Sequence, residues 1–259
     1  MGALHQGHAS LIRRARCIAG SKGSVVVSIF VNPLQFGPKE DLALYPRTFM
    51  EDRKICRQEG VNLLFHPLAE EMYPEGASVI VSERRLSAGL CGASRPGHFD
   101  GVCTVVTMLL QIIQPQFAVF GEKDWQQLAV IRRMVCDLKI PVGIVGHPTI
   151  REEDGLALSS RNRLLSPAAR RTAPAIHQAL TTTANEAEKG EHSVIRLRRR
   201  LIGDLTSLPG VTVEYVEIVD EMTLIPLKKL VGGTPARALV AIRMDGVRLI
   251  DNLSIPTPR

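Results

Sequence analysis

Along the first half of the chain, apolar positions alternate between two rhythms. Residues 9–22, ASLIRRARCIAGSK, set Leu11, Ile12, Ala15 and Ile18 on one face at helical spacing with arginines opposite, and Gly20 and Gly23 end the run. That spacing predicts an amphipathic helix. SVVVSIFVNP follows, a β-branched run almost without polar interruption, as expected of a strand covered on both faces in a parallel sheet, and Asn32-Pro33 closes it. RTFMEDRKICRQEG then reads as helix, VNLLFHP as strand, GVCTVVTMLLQIIQP as helix, QFAVFGEKD as strand, WQQLAVIRRMVCDLKIP as helix and VGIVGHPTI as strand. The alternation predicts an α/β fold built on a doubly wound parallel sheet over residues 1–149. Residues 78–101, SVIVSERRLSAGLCGASRPGHFDG, interrupt it with Gly, Ser and Arg and are expected to form an excursion or flexible lid.

Near residue 150 the pattern changes. SPAARRTAPAIHQALTTTANEAEKGE and SVIRLRRRLIGDLTSLPG read as two helices, with Ser166 as N-cap and Pro167 at the first helical position. VTVEYVEIVD and RALVAIRMDGVRLIDN follow as strands, so residues 150–259 are expected to form a smaller α+β C-terminal domain.

Composition narrows the function classes. The chain has 259 residues, 45% of them hydrophobic, enough for one large or two moderate cores. With 32 Lys+Arg against 26 Asp+Glu the net charge is +6, which favours anionic ligands. Aromatics make up only 4%, and no basic block is interleaved with Phe or Tyr, so small phosphorylated ligands are expected rather than nucleic acid. The five cysteines are scattered, with no C-x-x-C pair, as in a reduced cytoplasmic protein without structural disulfides or a zinc site. No apolar run reaches the length of a membrane span, and Gln6 stands where a myristoylation signal wants Ser or Thr.

Neither a Walker-type G-x-x-x-x-G-K-[ST] nor a G-x-G-x-x-G occurs, which removes the P-loop kinases and the commonest dinucleotide fold. The opening MGALHQGH is the remaining anion-binding candidate. If Gln6 to Ser10 begin a helix, His5 and His8 lie within one turn, beside unpaired backbone N–H groups and the positive end of the helix dipole. Gly7 removes a side chain that would hold a nucleotide away. The bland alternative is a helix start with two exposed histidines. VNPLQFGP puts Asn32 and Gln35 at the carboxyl end of a predicted strand, the edge where open α/β sheets bind ligands, and FGEKDWQQ puts Glu122, Lys123, Asp124 and Gln127 at the end of another. LALSSRN supplies Ser159, Ser160 and Arg161 in a short loop.

Taken together, MGALHQGH, VSIFVNPLQFGPKEDLALYPRT, SRPGHFDGV, FGEKDWQQLAVIRRMV and DGLALSSRN closely resemble the pantoate–β-alanine ligase family, and the similarity runs through to RLIDN. The resemblance implies a Rossmann-like sheet of the H-x-G-H nucleotidyltransferase type. It implies ATP-dependent condensation of pantoate with β-alanine through a pantoyl-adenylate, with Mg²⁺, in a cytoplasmic homodimer. Carried onto this chain, it makes Met1, Gly2, Ala3, Leu4, His5, Gln6, Gly7 and His8 the ATP loop, with His8 as proton donor. Gly121, Glu122, Lys123, Asp124, Ile150, Leu158, Ser159, Ser160 and Arg161 become further ATP contacts. His5, His8, Lys123 and Arg161 form the catalytic set, and Asp124 lies nearest Mg²⁺. Gln35 and Gln127 hold pantoate, with Asn32, Tyr45 and Arg95 beside them. Two neutral amides suit a carboxylate that must stay nucleophilic, whereas Lys123 and Arg161 suit phosphates on which charge accumulates.

One departure is expected to matter. Family members carry a first strand ahead of this loop, ending in Pro-Thr, and this chain begins at the loop itself. The chain is accordingly expected to be a fragment or to have a misplaced start, to fold poorly and to turn over weakly. Two alternatives accompany the ligase reading: another H-x-G-H nucleotidyltransferase, and an inactive remnant that binds nucleotide only.

Overall fold

The computed structural model describes residues 1–37 and 46–258. They divide into two compact units, Met1–Thr149 and Ile150–Arg259.

In the first unit α1 spans Gln6–Ala19, β1 Val26–Ser28, α2 Phe49–Gln58 and β2 Leu63–Phe65. Single-turn helices α3 (Ala69–Met72) and α4 (Cys91–Ser94) precede α5 (His98–Ile113). Then come β3 (Phe117–Gly121), α6 (Trp125–Asp137) and β4 (Gly143–His147). Short 3-10 turns cover Pro33–Gln35, after β1, and Glu122–Asp124, between β3 and α6.

The strands are parallel, in keeping with the helical crossovers between them, but the described residues form two two-stranded sheets, β1–β2 and β3–β4. The register runs Val26↔Leu63 to Ser28↔Phe65 in one and Phe117↔Gly143 to Gly121↔His147 in the other. One continuous sheet is therefore not what these strands make; a strand hydrogen-bonded to both pairs would be needed to join them. In the run SVVVSIFVNP, expected to be covered on both faces, Val25, Val27 and Ile29 on one face are buried and Val26, Ser28 and Phe30 on the other are half-buried. At the starts of β2 and β3, Leu63 is 52% and Phe117 55% exposed. A core of Leu4, Ile12, Val25, Val27, Ile29 and Cys56 lies beneath the N-terminal loop.

Residues 78–101 contain α4 and the first turn of α5 and are otherwise irregular. Of the two expectations for this stretch, an excursion or a flexible lid, the excursion is what forms, and side-chain hydrogen bonds hold it at several points.

The second unit begins with a 3-10 turn, Ser160–Leu164, followed by α7 (Pro167–Thr172), α8 (Ala175–Glu188) and α9 (Val194–Thr206). Where two helices were expected there are three. Pro174 has no N–H for the next helical bond, and the chain turns there between α7 and α8. Ser166 does cap α7, accepting from the Ala169 N–H at 3.2 Å, with Pro167 at the first position. Strands β5 (Val211–Asp220), β6 (Ala236–Met244) and β7 (Val247–Ile255) form an antiparallel sheet in that order. The β6–β7 hairpin turns at Asp245 and Gly246, with φ of 51° and 77°, the mirror-image turn that matches strand twist. Alternate residues Val216, Ile218, Ala238, Val240 and Ile242 point into a core shared with Leu180, Leu197, Leu201 and Leu205.

Candidate functional site

The N-terminal loop is anchored before its chemistry begins. The Met1 N–H donates to the Ser28 carbonyl at 3.1 Å and the Phe30 N–H to the Met1 carbonyl at 2.9 Å, which places the loop at the carboxyl end of β1. Ala3, with φ of 48°, turns the chain inward. The turn is held by Asp52, a carboxylate 1% exposed on α2, whose two oxygens accept from the Ala3 N–H at 3.0 Å and the Leu4 N–H at 2.7 Å. Thr48 adds a hydroxyl donor to the same group at 3.1 Å. Sequence reasoning missed Asp52. The available signal was an acidic residue on the face of α2 that also carries Phe49, Ile55 and Cys56, where a solvated carboxylate has no place.

His5 is the N-cap of α1, and the two histidines cap the helix reciprocally. His5 Nδ1 accepts from the Gly7 N–H at 3.1 Å, and His8 Nδ1 accepts from the His5 N–H at 3.3 Å. The rings lie 4.1 Å apart, tilted by 40°. An imidazole nitrogen that accepts carries no proton, so each neutral ring holds its proton on Nε2, as a donor. The histidine pair was expected to lie beside free backbone N–H groups; instead its Nδ1 atoms take up two of them, those of Gly7 and of His5 itself.

The His8 pKa falls to about 3, chiefly through burial and then through the positive charge of His5, the chain amino group and Lys123. The Lys123 charge is the smallest of these contributions and acts in the same direction. Lys123 lies in the 3-10 turn that leaves β3, beside Asp124, with Nζ 3.9 Å from Oδ1. Gly121 ends β3, and the Glu122 carboxylate lies beside Gly146 of β4 together with the Arg132 guanidinium, which stacks over Trp125 at 6.0 Å. His147, at the end of β4 opposite Gly121, has a buried Nε2 with no hydrogen-bond partner among the described residues.

A second group surrounds Gln35. Buried Asn32 donates to the Gly101 carbonyl at 3.0 Å and to Gln35 Oε1 at 3.4 Å. Its Oδ1 accepts from the Tyr73 hydroxyl at 2.8 Å and the Leu34 N–H at 3.3 Å. With both amide protons and both lone pairs engaged, Asn32 positions Gln35. Burial raises the Tyr73 pKa to about 12, so this hydroxyl remains a donor. The Gln35 carbonyl accepts from His98 Nδ1 at 2.8 Å and from Arg95 Nη2 at 3.3 Å, while Arg95 Nη1 donates to His98 Nε2 at 2.9 Å. Those bonds make His98 the neutral Nδ1–H tautomer. Gly101 permits the approach: a Cβ there would stand 2.4 Å from the Leu34 carbonyl oxygen. Gln127 is half-buried on α6, next to the buried Gln126. Tyr45 lies outside the described residues.

In the second unit the Leu158 N–H donates to the Ile150 carbonyl at 2.9 Å, and Arg151 bridges to Ala157. This brings Ile150 alongside Leu158. Ser159 caps the following 3-10 turn, its hydroxyl accepting from the Arg161 N–H at 3.3 Å, so Ser160 and Arg161 start that turn. Arg151 pairs bidentately with buried Asp251, at 2.7 and 2.9 Å, anchoring the ladder to β7. Among the described residues no three His, Cys, Asp or Glu side chains form a metal-binding cluster, and no helix is long and apolar enough to cross a membrane.

Comparison with known proteins agrees across sequence and structure. The sequence model of the family Pantoate-beta-alanine ligase matches residues 1–254. The chain is 50% identical over 252 residues to the pantothenate synthetase of Thermotoga neapolitana, covering 97% of this chain and 88% of that protein. It is 52% identical over 256 residues to that of Thermus thermophilus, covering 98% and 91%. The crystal structure of a pantothenate synthetase from Thermus thermophilus superposes with a TM-score of 0.93 at 51% identity, over 99% of this chain and 91% of that one. A pantoate-beta-alanine ligase from Francisella tularensis, solved in complex with beta-gamma ATP and beta-alanine, superposes with a TM-score of 0.76 at 34% identity, over 98% and 87%.

Proposed function

The chain belongs to the pantoate–β-alanine ligase family, and from that premise we infer that it joins pantoate to β-alanine with ATP, yielding pantothenate, AMP and pyrophosphate. In the first step a pantoate carboxylate oxygen attacks the α-phosphorus, the bond to the bridging oxygen of the β-phosphate breaks, and pyrophosphate leaves. In the second the uncharged β-alanine amine attacks the acyl carbon of pantoyl-adenylate, the C–N bond forms, the bond from that carbon to the oxygen bridging it to phosphorus breaks, AMP leaves with the bridging oxygen, and the nitrogen gives up a proton.

The observation that carries this reading is the reciprocal histidine cap at the start of α1, on whose His8 the Lys123 charge acts. We assign Met1–His8 and Gly121–Asp124 to ATP. Two Nε2–H donors and an ammonium meet the oxygens on which charge grows as pyrophosphate departs. A triphosphate brings several negative charges to His8 and so opposes the positive neighbours that depress its pKa, preparing the ring to hold a proton as the leaving group forms. Gln35 and Gln127 are assigned to pantoate, with Asn32 and Arg95 acting through Gln35 and with Tyr45 nearby. Ile150, Leu158, Ser159, Ser160 and Arg161 are assigned to the nucleotide on sequence resemblance.

Mg²⁺ is proposed as the counter-ion of the triphosphate, neutralising its charge. Asp124, side-chain exposure 47%, offers one carboxylate, a donor set suited to a magnesium ion held mainly by phosphate oxygens and water. We further assign the chain to the doubly wound H-x-G-H nucleotidyltransferase class, with residues 1–149 binding nucleotide and pantoate. We take it as a cytoplasmic homodimer; free thiols at all five cysteines suit a reducing compartment. Coupled AMP release tests the activity. AMP and pantothenate should form together, only when pantoate and β-alanine are both present; AMP release indifferent to β-alanine would sink the reading.

A further inference from the structure

The excursion before α5 is tied at each end to a segment bearing one of the two glutamines assigned to pantoate. At one end Gln126, 3% exposed and adjacent to Gln127 on α6, accepts from the Cys91 N–H at 2.9 Å. Its amide nitrogen donates to the Leu86 and Gly89 carbonyls, both at 2.8 Å. At the other end His98, 8% exposed, and Arg95 hold the Gln35 carbonyl. Between the pins runs the single turn of α4, where the Gly92 N–H donates to the Gly89 carbonyl at 2.9 Å, the Ser94 N–H to the Leu90 carbonyl at 3.3 Å and the Ser94 hydroxyl to the Cys91 carbonyl at 3.2 Å. Leading into the first pin, Glu83 accepts from the Arg85 N–H at 3.0 Å and the Ser87 N–H at 2.8 Å, and the Ser87 hydroxyl returns to the Glu83 carbonyl. A braced segment pinned by buried side chains transmits a fixed distance, which a lid does not.

We propose that residues 83–98 form a strut that sets the separation of Gln35 from Gln127 and thereby selects the size of the hydroxy acid, with Gln126 and His98 as its positioning residues. The proposal rests on the assignment of those two glutamines to pantoate. The chemistry of the pins is particular. Gln126 gives two N–H bonds and accepts one, so a glutamate in its place would face the Leu86 and Gly89 carbonyls with no proton to offer. His98 supplies one N–H to Gln35, a function that an asparagine amide can reproduce.

The test is AMP release by the purified protein, with KM measured separately for pantoate and ATP, and with 2,4-dihydroxy-3-methylbutanoate, which keeps both hydroxyls and lacks one methyl of pantoate, as the smaller competing acid. Gln126→Ala and His98→Ala should each raise the pantoate KM about tenfold or more and leave the ATP KM within about twofold. They should also narrow the preference for pantoate over the smaller acid, since a pocket of unfixed width discriminates by a methylene-scale difference less well. His98→Asn should recover most of the loss. If Gln126→Ala does not fold, the two His98 variants decide alone. An unchanged pantoate KM in a folded pin variant, or pantoate and ATP KM values rising together, overturns the strut. Wild-type protein in the same assay keeps the two claims apart: failure to form pantothenate there would count against the proposed function, whereas a normal wild type with indifferent variants would count only against the strut.

Discussion

The two units both bury apolar side chains but differ in what fixes the segments around their cores. In the second, three long antiparallel strands and the helices α8 and α9 enclose an apolar core in which Leu180, Leu201, Leu205, Ala238 and Ile242 are fully buried. In the first, the strands are three to five residues long and sparsely covered, and the segments around the site are joined by buried polar side chains bonding to backbone: Asp52, Asn32, His98 and Gln126. Apolar burial is non-directional and fixes a fold. Hydrogen bonds from buried side chains are directional and fix the coordinates of a particular peptide group, which is what a site that places phosphates and a carboxylate requires. The second unit should accordingly lose stability when cut, the first its geometry.

The largest contrast should come from Lys123→Ala, which should reduce the rate of adenylate formation by about 10²–10³-fold, the usual cost of a lost charge-stabilising donor, with the melting temperature nearly unchanged. Pre-steady-state pyrophosphate release measures it, and a loss below about tenfold would place the lysine outside the reaction. Leu201→Ala on α9 should do the reverse. It should cost about 2–5 kcal/mol in chemical denaturation while leaving the pantoate KM of the folded fraction as it was. Asp52→Ala should do some of both, because two buried N–H groups lose their acceptor. We expect a loss of about 1–3 kcal/mol together with a raised ATP KM, and a change in stability alone would argue that the loop holds its shape without the carboxylate.

A further effect is on pH dependence, confined to acid. His8 titrates near 6.5 in the unfolded chain and near 3 in the fold, so its neutral form contributes stability that is fully present above about pH 6.5 and is lost as pH falls towards 3. His8→Gln should flatten this part of the stability–pH curve, and an unaltered slope across the window would contradict the burial argument. The burial-lowered His177 of the second unit contributes with the same sign and supplies the background against which the difference is read.

The rhythm of apolar residues located the strands and the longer helices of both units but not the single turns α3 and α4 or the break between α7 and α8. Other features depended on partners that no local window contains. The run SVVVSIFVNP holds ten residues of strand character, yet only Val26–Ser28 pair as strand, because strand length is set by the neighbour available. Helix α1 begins at Gln6, as the motif reading supposed but ahead of residue 9, where the apolar rhythm starts, since a histidine outside the usual capping set serves as its cap. Asp52 and Gln126 read as ordinary polar positions on amphipathic helices until the loop and the excursion are folded over them. Asn32 read as a ligand contact, and only its four occupied hydrogen-bonding positions reveal it as a support for Gln35.

The reciprocal cap divides each imidazole into a scaffolding nitrogen and a working one. Methylation at the π nitrogen, Nδ1, would unravel the first turn of the helix, whereas methylation at the τ nitrogen, Nε2, would leave the turn intact and silence only the donor. Backbone synthesis with the two methylhistidine isomers at position 5 or 8 could thus separate folding from reactivity within one aromatic ring, a dissection that no encoded amino acid allows.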